Sequence, residues 1–94
     1  MKIRWTKRAI HGLASIHEYI SKDNPDAAAR VSTAVLDATV QIKHFPLSGR
    51  PGRIKGTREL VVSGLPYIIP YRVVDDVILI LSVIHTSRKW PKKL

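Results

Sequence analysis

The fold is decided by the run TRELVVSGLPYIIPYRVVDDVILILSVI, residues 57–84 of this 94-residue chain. Its segments 57–63, 67–74 and 77–84 are rich in β-branched and aromatic residues, which favour strands. Short turn-forming stretches separate the three segments, so neighbouring strands should pair antiparallel. Pro70 cannot donate a hydrogen bond to a strand ladder. We therefore expect a bulge or a local gap in pairing at that residue.

Two helices are predicted upstream of these strands, after a short strand at residues 2–5. Thr6 can cap the first helix, and apolar residues then repeat at helical spacing to about Ser21. Asn24 followed by Pro25 marks the start of a second helix, which runs to Lys43 or His44. These boundaries predict a helical hairpin near the N-terminus.

The arrangement of helices and strands predicts an α+β fold in which an N-terminal helical hairpin packs on a small antiparallel β-sheet. A chain this short holds one domain, residues 1–94, and its hydrophobic content of 45% suffices for one core. Residues 45–56 contain two prolines and three glycines, so no regular element is expected there.

Few classes of active site fit the sequence. Cysteine is absent, which suits a reducing cytoplasm, and no apolar stretch is long enough to span a bilayer. There is no phosphate-binding loop, no dinucleotide fingerprint and no zinc-protease motif. His11 and His17 fall on different faces of the first helix, which argues against a metal site. We expect a soluble cytoplasmic protein without metal or cofactor.

The charge indicates an acidic partner. Sixteen Lys and Arg residues against seven Asp and Glu residues give a net charge of +9. Such a surplus favours nucleic acid, a ribosome, an anionic membrane or an acidic protein, although many small basic proteins are simply soluble cations. Charge alone does not separate these partners.

Basic residues cluster at positions 50–58 and in the last ten residues, which also contain Trp90. Tyr67 and Arg72 lie on the predicted middle strand. These side chains can bind phosphate or an acidic protein surface, and the aromatic ones can stack on a base. The alternative is a solvated loop and tail, with the aromatic rings closing the core. The candidates are Arg50, Arg53, Lys55, Arg58, Tyr67, Arg72, His85, Arg88 and Trp90.

Several short motifs, taken in order, resemble one protein family over nearly the whole chain. They are Trp5-Thr6, Asn24-Pro25-Asp26-Ala27-Ala28, Phe45-Pro46-Leu47-Ser48-Gly49-Arg50, Gly56-Thr57-Arg58-Glu59-Leu60, Pro66-Tyr67-Ile68-Ile69-Pro70-Tyr71-Arg72-Val73 and His85-Thr86-Ser87-Arg88-Lys89-Trp90-Pro91. Their order and spacing resemble the RelE/ParE toxin superfamily of type II toxin–antitoxin systems.

This resemblance implies a helical hairpin on a small sheet and a protein partner. Toxins of this superfamily are neutralised by an antitoxin whose flexible, often acidic segment folds on the toxin. The second helix has apolar residues beyond its core stripe, so we expect antitoxin contact at Leu36 and Val40, and also at Arg50 and Arg53. Contact with operator DNA is expected only through the antitoxin.

The superfamily divides by target. RelE-like members cleave mRNA on the ribosome without metal, using cations and a Tyr or His near the ribose 2′-hydroxyl. ParE-like members inhibit DNA gyrase. Here Ile68 stands where nucleases tend to carry arginine, and Glu59 beside Arg58 would repel phosphate. The gyrase inhibitor is therefore the leading hypothesis.

Target contact is expected at six residues: Arg58, Tyr67, Arg72, His85, Arg88 and Trp90. One alternative is a ribosome-dependent mRNA endonuclease using Arg58, Arg72, His85 and Arg88. Another is a non-toxic accessory protein for plasmid or chromosome stabilisation.

Overall fold

The computed structural model of the protein describes all 94 residues as two helices and six strands. In chain order the elements are β1 (Lys2–Trp5), α1 (Lys7–Ser21), α2 (Pro25–His44), β2 (Arg50–Pro51), β3 (Arg58–Val61), β4 (Tyr67–Val74), β5 (Val77–Ile80) and β6 (Ile84–His85). Neither helix is long and apolar enough to cross a membrane.

Both helices begin where the sequence predicts. The Thr6 hydroxyl accepts a hydrogen bond from the backbone N–H of Ala9 at 3.1 Å, and the Asn24 side chain accepts one from that of Ala27 at 3.0 Å. Pro25 occupies the first turn of α2, where no intrahelical donor is needed. The Thr6 hydroxyl also lies 3.0 Å from the carbonyl oxygen of Ile80, which ties the start of α1 to the end of β5.

The predicted α+β fold is confirmed, and its sheet is mixed. The strand order is β1-β5-β4-β3-β2, with β6 beside β4. The pairs β3–β4 and β4–β5 are antiparallel, as their short turns require. However, β1 pairs with β5 in parallel. The connection between these two strands includes both helices, so the constraint of a short turn does not apply to them.

Two details of the sheet differ from the sequence prediction. Arg50 and Pro51 form β2 within a segment where no regular element was expected, pairing with Arg58 and Glu59 of β3. Pro51 is tolerated because β2 is an edge strand. In addition, the strand predicted over residues 77–84 is interrupted. Regular pairing stops at Ile80 and resumes in β6.

The interruption coincides with Pro70 and confirms the expected irregularity. Between the pairs Tyr71–Ile80 and Ile68–Ile84, β4 contains two residues, whereas the opposing segment 81–83 contains three. The extra residue makes a bulge. The Pro70 carbonyl still accepts a hydrogen bond from the Leu81 N–H at 2.9 Å. The missing Pro70 donor thus falls where the ladder is already broken.

The core lies between the helices and one face of the sheet. Alternate residues of β4, namely Tyr67, Ile69 and Tyr71, join it. It is completed from the helices by Ala9, Val35, Ala38 and Ile42, and from the rest of the sheet by Leu60, Val62, Ile78, Ile80 and Val83.

Candidate functional site

Two arginines of residues 45–56, called the basic loop below, form ion pairs with the same acid, Glu59. Glu59 of β3 is 3% exposed, and one carboxylate oxygen accepts from the Arg53 backbone N–H at 2.7 Å. The same oxygen, Oε2, lies 3.4 Å from the side-chain Nε of Arg53. The other oxygen, Oε1, lies 3.2 Å from the guanidinium of Arg50. Both arginine side chains remain about half exposed, at 54% and 50%. The single negative charge of Glu59 therefore offsets part of the positive charge of Arg50 and Arg53.

These contacts set the charge state of Glu59. Burial by itself raises the pKa of the carboxyl. The backbone hydrogen bond from Arg53, the side-chain hydrogen bond from Arg50 and the charges of both arginines act in the opposite direction. The result is a pKa below the usual glutamate value, so Glu59 is ionised at neutral pH.

The tail folds back onto this loop. The Arg53 guanidinium carbon lies 3.8 Å from the centre of the Trp90 ring, within cation–π range. The Trp90 indole N–H is buried and has no hydrogen-bond partner in the protein. Trp90, an expected target contact, thus packs against Arg53, an expected antitoxin contact.

Arg58 and Arg72 occupy opposite faces of the sheet. Arg58 is paired with Tyr71, so the two side chains share a face, and Arg72, one residue on, leaves the other face. Each guanidinium donates to a backbone carbonyl: Arg58 to Gly49 at 2.8 Å, and Arg72 to Lys55 at 3.3 Å. Both cations therefore brace the loop between β2 and β3 and the segment before it.

Three other predicted residues meet in one cavity. Tyr67, His85 and Arg88 line a space of about 560 Å³ between α1 and the C-terminal tail. The rings of Tyr67 and His85 are edge to face, with their centres 5.3 Å apart. Tyr67 is only 8% exposed, so it has little surface to offer a partner. Arg58, Arg72 and Trp90 do not line this cavity.

The opposite wall of the cavity consists of α1 residues that the sequence reasoning missed. Arg8, His11, Ser15 and Tyr19 all line it. Their spacing of three or four residues is helical, which places them along one side of α1. That polar stripe was a signal available in the sequence. Only the tertiary structure shows that the tail lies across it.

The expected antitoxin surface on α2 is exposed and apolar. Leu36 and Val40 are each 48% exposed. Leu36 also lines an apolar groove of about 430 Å³ between the two helices, together with Trp5, Ile10 and Leu13. No group of three or more His, Cys, Asp or Glu side chains is arranged to hold a metal ion.

Comparison with known proteins agrees with this architecture. Residues 3–90 match the family model of the ParE toxin of the type II toxin–antitoxin system parDE. The Y4kP protein of Sinorhizobium fredii strain NGR234 is 54% identical over 93 residues, covering 99% of this chain and 96% of that protein. Toxin RelE2 of Caulobacter vibrioides is 34% identical over 87 residues, covering 93% and 97%.

A solved structure shows the same fold. It is a chain of the chromosomal ParDE toxin–antitoxin system from P. aeruginosa, with a TM-score of 0.77 and 27% identity. The match covers 93% of this chain and 97% of that one. The resemblance to type II toxins is thereby confirmed over nearly the full length. The chain belongs to the ParE toxin family of type II toxin–antitoxin systems.

Proposed function

We propose that this toxin arrests growth by inhibiting DNA gyrase and that a cognate antitoxin neutralises it. The family match supports a type II toxin, and the ParE-like branch of the superfamily is the one that acts on gyrase. The choice of gyrase over mRNA is supported chiefly by one observation: the four cationic or imidazole groups a nuclease would need are dispersed.

A metal-independent nuclease must place its cations around one phosphate and a proton acceptor beside it. Arg58 and Arg72 leave opposite faces of the sheet and donate to backbone carbonyls. His85 and Arg88 line the separate cavity against α1. Ile68, at the position where nucleases tend to carry arginine, is 5% exposed and has no charge to contribute. These four groups therefore do not surround one phosphate, which argues against a nuclease built from them.

The proposed target surface comprises the exposed and partly exposed residues of the predicted set, which are spread over the cavity beside α1, the sheet and the tail. Arg88 is exposed, and Arg72, His85 and Trp90 are partly exposed. Arg58 and Tyr67 support the fold around this surface through the loop carbonyls and the core.

The antitoxin is proposed to cover the apolar surface of the hairpin. Leu36 and Val40 lie one turn apart on α2, and the groove beside Leu36 is apolar. The exposed parts of Arg50 and Arg53 supply charge for an acidic segment of the antitoxin.

The deciding experiment is a supercoiling assay with purified gyrase and toxin. We expect the toxin to inhibit supercoiling and the antitoxin to restore it. The Arg72→Gln/Arg88→Gln variant should inhibit at least about tenfold less, because charged interface contacts are worth 1.5–3 kcal/mol each. The matched control is Arg4→Gln/Arg30→Gln, two exposed arginines outside the proposed surface.

The same preparation distinguishes the alternatives. Supercoiling that is unaffected by a large excess of toxin would reject the gyrase proposal. Cleavage of ribosome-bound mRNA, lost on substitution of Arg58, Arg72, His85 and Arg88, would establish the RelE-type alternative instead. In a separate growth assay, unchanged growth of cells that express the protein would support the non-toxic accessory function.

A further inference from the structure

The cavity between α1 and the tail has the lining of an anion site. It is contributed by sixteen residues, and none of them is Asp or Glu. Three basic side chains, Arg8, Arg88 and Lys89, line it together with His11 and His85. Arg8, Arg88 and Lys89 are exposed, so their charges are accessible to an anion that enters the cavity.

The helical wall extends from a cation to an aromatic ring. Arg8 and Tyr19 are eleven residues apart on α1, about 16 Å at 1.5 Å per residue. Between them His11 and Ser15 face the same space. Tyr19 is 76% exposed, so its ring is available for contact with a planar ligand. Charge at one end and an aromatic ring at the other suit a ligand with a phosphate and a base.

The tail wall supplies hydrogen-bond donors. His85 Nδ1 accepts from the Ser87 backbone N–H at 3.0 Å, and the Ser87 hydroxyl lies 2.7 Å from the same atom. In the neutral ring the proton therefore resides on Nε2, which can donate to an anion. The Arg8 guanidinium donates to the Lys93 carbonyl at 3.2 Å, which holds the tail against α1. Arg8 therefore both lines the cavity and contacts the tail.

We propose that this cavity binds a nucleoside di- or triphosphate. The site shares His85 and Arg88 with the proposed gyrase surface. The phosphates contact Arg8, Arg88, Lys89 and His85, and the base stacks on Tyr19. The volume of about 560 Å³ falls within the range of small-molecule sites. The cavity is enclosed on two sides by α1 and the tail, which suits a small molecule with a single polyphosphate group.

Calorimetric titration of the full chain with ADP and with inorganic pyrophosphate tests the proposal. The Arg8→Gln/His11→Gln variant changes two side chains of the α1 wall and removes the Arg8 hydrogen bond to the Lys93 carbonyl. Neither residue belongs to the proposed gyrase surface. Its matched control is Arg30→Gln/His44→Gln, the same residue types exposed on α2. We expect ADP affinity to fall at least about tenfold in the first variant and less than about twofold in the control.

Tyr19→Ala tests the assignment of the base. It should weaken ADP while leaving pyrophosphate unchanged. Equal loss of ADP binding in the Arg8/His11 variant and its control would mean that net charge alone attracts the ligand, which overturns the site. Pyrophosphate binding as tightly as ADP, with no effect of Tyr19→Ala, would overturn the nucleoside part. A short single-stranded oligonucleotide that displaces ADP and binds far more tightly would reassign the cavity to a polymer. None of these titrations contains gyrase, so they are independent of the supercoiling result.

Discussion

The Tyr71 hydroxyl joins the core of the toxin to the loop that follows α2. The ring is fully buried. Its oxygen accepts from the Gly49 N–H at 2.9 Å and its proton is donated to the Pro46 carbonyl at 2.7 Å. Gly49 is required at this approach, because a Cβ there would lie 2.7 Å from the Tyr71 ring. One side chain therefore positions the start of the basic loop.

Removing this hydroxyl should destabilise the fold. Tyr71→Phe keeps the ring but leaves the Gly49 N–H and the Pro46 carbonyl without their partner, a cost of about 1–3 kcal/mol in the free energy of unfolding. Urea unfolding followed by circular dichroism measures it. Tyr19→Phe, which removes a hydroxyl from an exposed ring, is the control and should change stability by less than about 0.5 kcal/mol. Equal stability of the two variants would contradict the role given to Tyr71.

Glu59 makes stability depend on pH. Because its pKa is lowered in the folded protein, its contribution is present above the unfolded-state pKa, about 4.3 for glutamate, and is lost as pH falls through the folded-state value. Glu59→Gln should cost about 1–2 kcal/mol at pH 7, a modest amount because both arginines are half exposed.

The pH series provides the check on Glu59. The stability difference between the wild type and Glu59→Gln, measured by urea unfolding, should shrink as pH is lowered below about 4.3. Glu18→Gln, at an exposed position of α1, should show no such trend. A difference that stays constant down to pH 3 would rule out the ion pairs as its source.

The helix α1 lies in close contact with the bulged segment after β5. A Cβ on Gly12 would lie 3.1 Å from the carbonyl oxygen of Val83. The helix thus rests directly on backbone where the regular ladder is interrupted. That close contact, together with the Thr6 hydroxyl at Ile80, fixes the angle between α1 and the sheet and hence the width of the cavity beside it.

Filling this contact should separate the two elements. Gly12→Val places a branched side chain against backbone and is expected to lower the unfolding free energy by about 1–3 kcal/mol. Ala14→Val introduces the same β-branched residue at an exposed position of the same helix. Helix propensity alone would destabilise Ala14→Val and stabilise Gly12→Val, so a less stable Gly12→Val reports the steric contact. Thermal unfolding of both variants measures the effect. If Gly12→Val were no less stable than Ala14→Val, the packing would be looser than the structure indicates.

Across the whole molecule, apolar and cationic surfaces are separate. The apolar groove lies between the two helices, whereas the cationic cavity lies between α1 and the tail. With a net charge of +9, the toxin should associate faster with an acidic antitoxin at low ionic strength, and the apolar groove should then determine the lifetime of the complex.

A substitution in the groove tests this division. Leu36→Lys should weaken antitoxin binding at least about tenfold, because burying a leucine side chain contributes about 1.5–3 kcal/mol. Thr33→Lys adds the same charge at an exposed position of α2 and should change affinity far less. Surface plasmon resonance with immobilised antitoxin gives both affinity and rates. An equal effect of the two lysines would place the antitoxin elsewhere on the toxin.

The sequence by itself determined the helices, the antiparallel strands β3 to β5, and the irregularity at Pro70. These depend on local information: capping residues, the 3.6-residue and two-residue periods, turn chemistry and a missing backbone donor. The motifs, read in order, also sufficed for the family, which the comparisons confirmed. The predicted contacts with gyrase and antitoxin remain predictions.

Only the tertiary structure decided which charges act together. Arg50 and Glu59 are nine positions apart in the sequence, and Arg53 and Trp90 are thirty-seven positions apart, yet each pair is in contact. Arg58 and Arg72, grouped with His85 among the expected target contacts, do not line its cavity. The parallel pairing of β1 with β5 likewise joins the two ends of the chain. Contacts between residues so distant in sequence depend on how the hairpin packs on the sheet, which no local pattern encodes.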